Sequence, residues 1–438
     1  MALKCLIIYT VSLSLKLEPL SQICENQCIK YCPVKLFTSF FNQLMIFPSF
    51  NKILFCLPIQ KVNLNTNCWV RSPVWDLFWM HSSVWLGLLI FVFSSQPALE
   101  IFYMFGVFLF WISHRFSSFY IAWGTGSYST VRKSHPLRYV IFPAMLVLSV
   151  FAFLFVPETV FPVSVPVRIL GLLLLDFFWG MHHFASQHYG MLRLFQYRAN
   201  PSTAHSSNLH DRLFCWGTGF VMVLIAELLH GASFLQQKQI LPAIPHDWGN
   251  EIIPIILRSG TLLVLGITAI MIRNTLLQNS GLPRILYILG LGIMVTGAFH
   301  LQPIEFLMLW TLQHWITALG LAAQMGGNDI KRSTSVKNII FKKSSISEFQ
   351  YQWIVLLFLC SISVILTPFF EIEAVSSGAR YSELIFPSLM YWLEKSSWVT
   401  IIVGVGLASG FLHYFMDRAV YRLSDAETRI SAKNLLFG

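Results

Sequence analysis

Over most of the chain, apolar residues fall in blocks of roughly 18 to 25 separated by short polar stretches, the length a helix needs to cross a hydrocarbon core about 30 Å thick. A backbone facing lipid must satisfy its own hydrogen bonds, so the blocks read as helices. From Asp76 onward the pattern predicts about ten spans: 76 to 95, 98 to 121, 139 to 157, 166 to 190, 211 to 232, 251 to 272, 284 to 300, 304 to 324, 352 to 370 and 397 to 417. Pro136, Pro157, Pro166 and Pro283 fall at or beside the ends of these blocks, where a missing N–H is tolerated. The expected fold is an all-α, polytopic transmembrane helical bundle over 71–425 with a short tail over 426–438. A longer polar connection is expected between Gly326 and Tyr351.

Residues 1–70 depart from this pattern. An apolar stretch from Cys5 to Leu15 is interrupted at Lys16 and lacks the small-residue cleavage site of a signal peptide. The expectation is an atypical leader, either interfacial or partly non-native, with Met45 the better start. Cys24, Cys28 and Cys32 lie in it at a spacing that matches no common metal motif.

Composition supports the membrane reading, because 55% of the residues are hydrophobic and only 11% are charged, against about 25% in soluble domains. The net charge of +10 does not point to nucleic acid, since the basic residues are scattered through the polar connections and form no stripe. From residue 61 on, nineteen Lys and Arg fall in one set of alternate connections and four in the other. That asymmetry predicts both ends on the cytoplasmic side, as for a multi-pass protein of a bacterial inner membrane, with membrane lipids as neighbours.

Thirteen histidines is a high number for a chain so poor in charge, and ionisable groups inside spans are functional candidates by default. The densest run is His182-His183-Phe-Ala-Ser-Gln187-His188-Tyr-Gly190, with His81, His114, His314 and His413 in other spans and Asp417 one helical turn beyond His413. Counted from the cytoplasmic ends, His81, His114, His183 and His413 fall roughly 6 to 11 Å deep, with His314 nearer the centre. Neutral imidazoles bind iron, zinc or copper without adding negative charge to a low-dielectric site. The metal-ligand set read from this layer is His183, His188, His314 and His413, with His81 or His114 as a further ligand, and Gln187 and Asp417 behind the imidazoles. His183 and His188 are about 140° apart around a helix, so both ligate only if the helix end unwinds, which Gly190 makes easier, or a cofactor fits between its turns. A second group, Glu227, His230, His300 and Glu305, reads as a separate network on the external side, while His135, His205, His210 and His246 read as loop residues.

The His182–Gly190 run, Gln313-His314-Trp315 and His413-Tyr-Phe-Met-Asp417 together resemble a group of bacterial polytopic membrane proteins. More distantly they resemble histidine-rich membrane oxygenases, including carotene-cleaving oxygenases and the lipid desaturase and hydroxylase class. That resemblance implies non-haem iron held by histidines from several helices and an apolar small-molecule substrate of lipid or isoprenoid type. The desaturase H-x-x-H-H box is absent, and no nucleotide-binding loop or nucleophile elbow supports a nucleotide cofactor or serine hydrolase chemistry. The alternatives are a transporter or assembly factor with an intramembrane histidine network, and an acyltransferase with one buried histidine as general base.

Overall fold

The computed structural model describes residues 68–93, 97–201, 208–237, 252–301, 303–332, 348–371, 381–395 and 398–437. Nearly all of the leader, including Met45, Cys24, Cys28 and Cys32, lies outside these residues, as do His205 and His246. Every regular element among the described residues is helical, as the apolar blocks predict.

The helices that matter for the site are α1 (Pro73–Trp79), α2 (Ser82–Phe93), α3 (Leu99–Gly124), α4 (Leu137–Phe155), α5 (Val165–Ala199), α6 (Leu209–His230), α7 (Ile253–Leu277), α8 (Leu282–His300), α9 (Pro303–Arg332), α10 (Gln350–Phe370), α11 (Val399–Val420) and α12 (Ala426–Phe437). Eight of them, α3 to α8, α10 and α11, are long and apolar enough to cross a membrane, and a ninth span results if α1 and α2 are counted as one broken helix. Helix α9, which covers the expected span 304 to 324, is not among the eight.

Three boundaries differ from the apolar pattern. The block over 76 to 95 is split, with α1 and α2 meeting at 55° around Met80 and His81, where the His81 amide bonds the carbonyl of Asp76 and abandons regular helical spacing. Helix α5 runs unbroken past Gly190 to Ala199, so the helix end does not unwind there. Helix α9 continues to Arg332, which shortens the connection expected from Gly326.

Polarity is arranged inside out. Helices α4 and α7 present Leu137, Val140, Met145, Leu148, Ile255, Leu262 and Ile270 to the exterior, an apolar surface of the kind that suits contact with lipid. Helix α9, by contrast, buries Gln313, His314, Thr317 and Gln324 and packs against α1, α2, α3, α8, α10 and α12. Along one face of α7, Thr261, Thr268 and Thr275 each return their hydroxyl to the carbonyl four residues back, which lets them meet α8 without an unpaired donor. The turn from α7 to α8 passes through Gly281 at φ +81°, where a Cβ would lie 2.8 Å from Cys68, so glycine is required there twice over.

The segment read as a tail is helical over Ala426–Phe437 and folds back on the bundle. Asn328 donates its side-chain amide to the Leu435 carbonyl at 2.6 Å, Gln324 does the same to Leu436, and Lys433 reaches the Tyr197 hydroxyl at 2.7 Å.

Candidate metal centre

Four imidazoles meet in the interior, each from a different helix: His114 of α3, His183 of α5, His314 of α9 and His413 of α11. Their ring centroids lie 4.9 Å apart for His183 and His314, 5.0 Å for His183 and His413, 4.7 Å for His114 and His413, 5.1 Å for His114 and His314, and 6.2 Å for His314 and His413. Imidazole nitrogens about 2.1 Å from one metal put ring centroids roughly 5 Å apart at near-tetrahedral angles. The spacing brings the rings within reach of an ion in overlapping sets of three.

The nitrogens fit as well. His314 has no hydrogen-bond partner on either ring nitrogen, and Nε2 of both His183 and His413 is also without one. A buried, unpaired imidazole nitrogen is costly unless something accepts its lone pair. Nδ1 of His114 is engaged by the Trp111 carbonyl, which holds the proton there and frees Nε2 for a ligand. Nδ1 of His413 lies 3.3 Å from Ser118 Oγ and 3.7 Å from Asp417 Oδ1, with the same consequence for its Nε2.

Two overlapping groups therefore can hold a metal: His114 with His314 and His413, and His183 with His413 and Asp417, the donor atoms of each lying within 4.8 Å of one another. Donors bound at about 2.1 Å lie about 3.4 Å apart at tetrahedral angles, so small side-chain rotations close either set. The Asp417 carboxylate faces two rings at once, since Oδ2 lies 3.5 Å from His183 Nε2.

Local backbone explains some of this placement. Helix α3 widens into π-type turns over Val107–Trp111 and Tyr120–Gly124, on both sides of His114, and such turns re-aim side chains at functional sites. Beside His114, Arg115 is buried and donates to the Gly406 carbonyl and to Ser409 Oγ, both at 3.2 Å. On α11, Gly410 keeps the approach open: a Cβ there would meet Asp176 Oδ1 at 3.2 Å and Arg115 Cζ at 3.7 Å.

The other histidines in the expected ligand layer lie elsewhere. His188 Nδ1 shares a 2.8 Å hydrogen bond with the Tyr287 hydroxyl, and His81 packs on Trp69, Phe195 and Tyr287. They form a second cluster around Tyr287, because α5 stays helical and turns His188 away from His183. Gln187 donates to the His314 carbonyl at 3.5 Å, so it touches the backbone of that residue and not its ring. His314 is in the same cluster as the other three rings. Asp76 accepts the Val70 and Arg71 amides at 2.6 and 3.2 Å and stands apart. In the external group, His230 bonds the Ala298 carbonyl at 3.0 Å and His300 bonds Thr261 at 2.8 Å, and among the described residues neither joins a metal-holding group. The sequence reading missed Ser118, although it stands four residues after His114 on the same helix face, and Tyr287, because nothing local pairs it with His188.

On the side where the basic residues gather, a cavity of about 1550 Å³ opens between α4, α5, α6, α11 and α12, with His183, Gln187 and Asp417 in its lining. No family model, no curated protein and no solved structure matches the chain.

Proposed function

We propose that this membrane protein is a histidine-ligated iron enzyme that oxidises an apolar substrate of lipid or isoprenoid type. The observation that carries the reading is the convergence of four imidazoles, three of them with unpaired ring nitrogens, beside one carboxylate, deep in a helical bundle. His114, His314 and His413 would hold the ion, and His183 with Asp417 would stand on the side that faces the cavity. Three protein ligands and one open side are the arrangement of a catalytic site, whereas closed sets of four are structural. Iron bound there would supply redox chemistry and activation of dioxygen toward an otherwise unreactive C–H or C=C bond.

The chain's own residues have separable tasks. The Trp111 carbonyl, Ser118 and Asp417 fix the tautomers and ring orientations. The apolar walls exclude water, and Asp417 is placed to accept or return a proton at the edge of the centre. The basic side, with the cavity mouth and α12, faces the cytoplasm in this reading.

The test is anaerobic iron reconstitution of the purified full chain, followed by elemental analysis and measurement of dioxygen uptake with added lipid. About one iron per chain and lipid-dependent uptake are expected; a chain that retains no metal after reconstitution overturns the reading.

A further inference from the structure

We infer that the cavity beside the imidazoles binds the anionic head of an amphiphile, a carboxylate or a phosphate, with the apolar chain directed inward; as an identification of the substrate class, this rests on the function proposed above. The inference begins from the wall. Trp179, Trp216, Phe415 and Leu321 provide apolar surface toward the centre, while Arg418, Arg422 and Arg429 lie at the rim. Of the three further arginines of the lining, Arg138 is matched with Asp425 at 2.8 Å, Arg193 with Asp211 at 3.3 Å, and Arg212 lies over the Tyr189 ring at 5.9 Å. Arg418, Arg422 and Arg429 have no carboxylate in ion-pair contact among the described residues. Asp417 is the acidic side chain in the lining, and it already faces two imidazoles.

Three uncompensated guanidiniums around one opening raise each other's energy and attract an anion. Guanidinium is also the group that grips a carboxylate or phosphate with two parallel hydrogen bonds. The usual bias of basic residues to one membrane side explains their presence at helix ends. It does not explain why three of them share a cavity whose inner wall carries His183 and Asp417.

Distance links the rim to the centre. Arg418 follows His413 by five residues on α11, about 8 Å along the axis. A head held at Arg418 thus leaves several carbons of chain to reach the imidazole layer, and the reacting carbon is not the one next to the head. A neutral hydrocarbon such as a carotenoid would gain nothing from this rim. The volume, about 1550 Å³, exceeds the 300 to 1,000 Å³ of ordinary ligand pockets and suits a long chain that enters from one side.

The test is calorimetric titration of the full chain in neutral detergent with oleate, oleyl phosphate and oleyl alcohol, which share one tail and differ in the head. At least one anion should bind tenfold or more tighter than the alcohol, with a preference that falls as salt is raised. Tighter oleate identifies a carboxylate head and tighter oleyl phosphate a phosphate head. The double variant Arg418→Gln, Arg422→Gln should lose that preference while its metal content and alcohol binding stay at wild-type level, and Arg418→Lys, Arg422→Lys should keep part of it. Equal binding of the alcohol and both anions overturns the inference, as does a Gln variant that retains the full preference. The outcome is separable from the metal reading, because His314→Ala should lose metal and still prefer the anion. A metal-free wild type that prefers anions would overturn only the proposed iron chemistry, and an iron-replete wild type without the preference only the head site.

Discussion

His413 and Asp417 stand one turn apart on α11 with Nδ1 and Oδ1 separated by 3.7 Å, an ion-pair distance, while Ser118 Oγ at 3.3 Å from the same Nδ1 is placed to engage it and leave Nε2 to a metal. A carboxylate behind a histidine typically changes metal affinity 10- to 100-fold, less than a ligand does. Asp417→Asn should therefore weaken iron binding by about 10- to 100-fold, whereas His413→Ala should abolish stoichiometric binding. Competition against a calibrated chelator measures both. Equal losses in the two variants would make Asp417 a direct ligand.

The Tyr287 cluster gives the opposite expectation. His188→Ala and His81→Ala should leave metal content at wild-type level, since these rings pack on Tyr287 and not on the four-ring centre. His188→Ala should still lower stability, by about 1 to 3 kcal/mol, because it strands the buried Tyr287 hydroxyl. Elemental analysis beside a denaturation curve separates the two effects, and loss of metal from His188→Ala would return that residue to the ligand set.

The spans were legible because apolar length is a property of each segment, and α3 to α8, α10 and α11 lie where the blocks fall. The bend at His81 and the continuation of α5 to Ala199 were not, since both depend on what the neighbouring helices supply. His183, His314 and His413 could be read as one group from type and depth. His188 could not be placed, because direction around a helix decides its partner and the sequence left open whether α5 unwinds. Tyr287 and Arg284 were invisible for a related reason: their partners are 99 and 73 residues away along the chain.

Arg284 and Asp211 form a fully interior pair, with Nη2 and Oδ1 2.6 Å apart; Arg284 also donates to the Leu192 carbonyl at 2.8 Å, and Asp211 has the less buried Arg193 as a second partner at 3.3 Å. Removing one member of such a pair leaves the other buried and uncompensated, at a cost of about 3 to 5 kcal/mol. Asp211→Ala should thus lower stability by that order and leave a poorly folding chain. The double change Asp211→Leu, Arg284→Met should recover much of the loss, which a double-mutant cycle in denaturant would read. A double variant no more stable than Asp211→Ala would show that packing, not the stranded charge, dominates.

The contact between α4 and α12 supplies a pH dependence. Asp425 accepts from Arg138 at 2.8 Å and from Thr428 Oγ1 at 2.7 Å, just before the first turn of α12, and the Arg138 hydrogen bond leads in holding its carboxyl down to about 2. His135 Nε2 faces the same carboxylate at 3.5 Å and Glu427 at 3.6 Å, so Asp425 sits in a small charge network. A free aspartate titrates near 4, so the folded state binds the proton less readily than the unfolded state. The stabilisation is therefore complete above about pH 4 and disappears as pH falls toward about 2. Asp425→Asn should lower the melting temperature at pH 7, and the gap to wild type should shrink below about pH 4 and close near pH 2. Thermal melts across that range provide the check. A gap that stays constant with pH would mean that the amide is defective for packing and that the carboxylate's charge contributes nothing to docking α12.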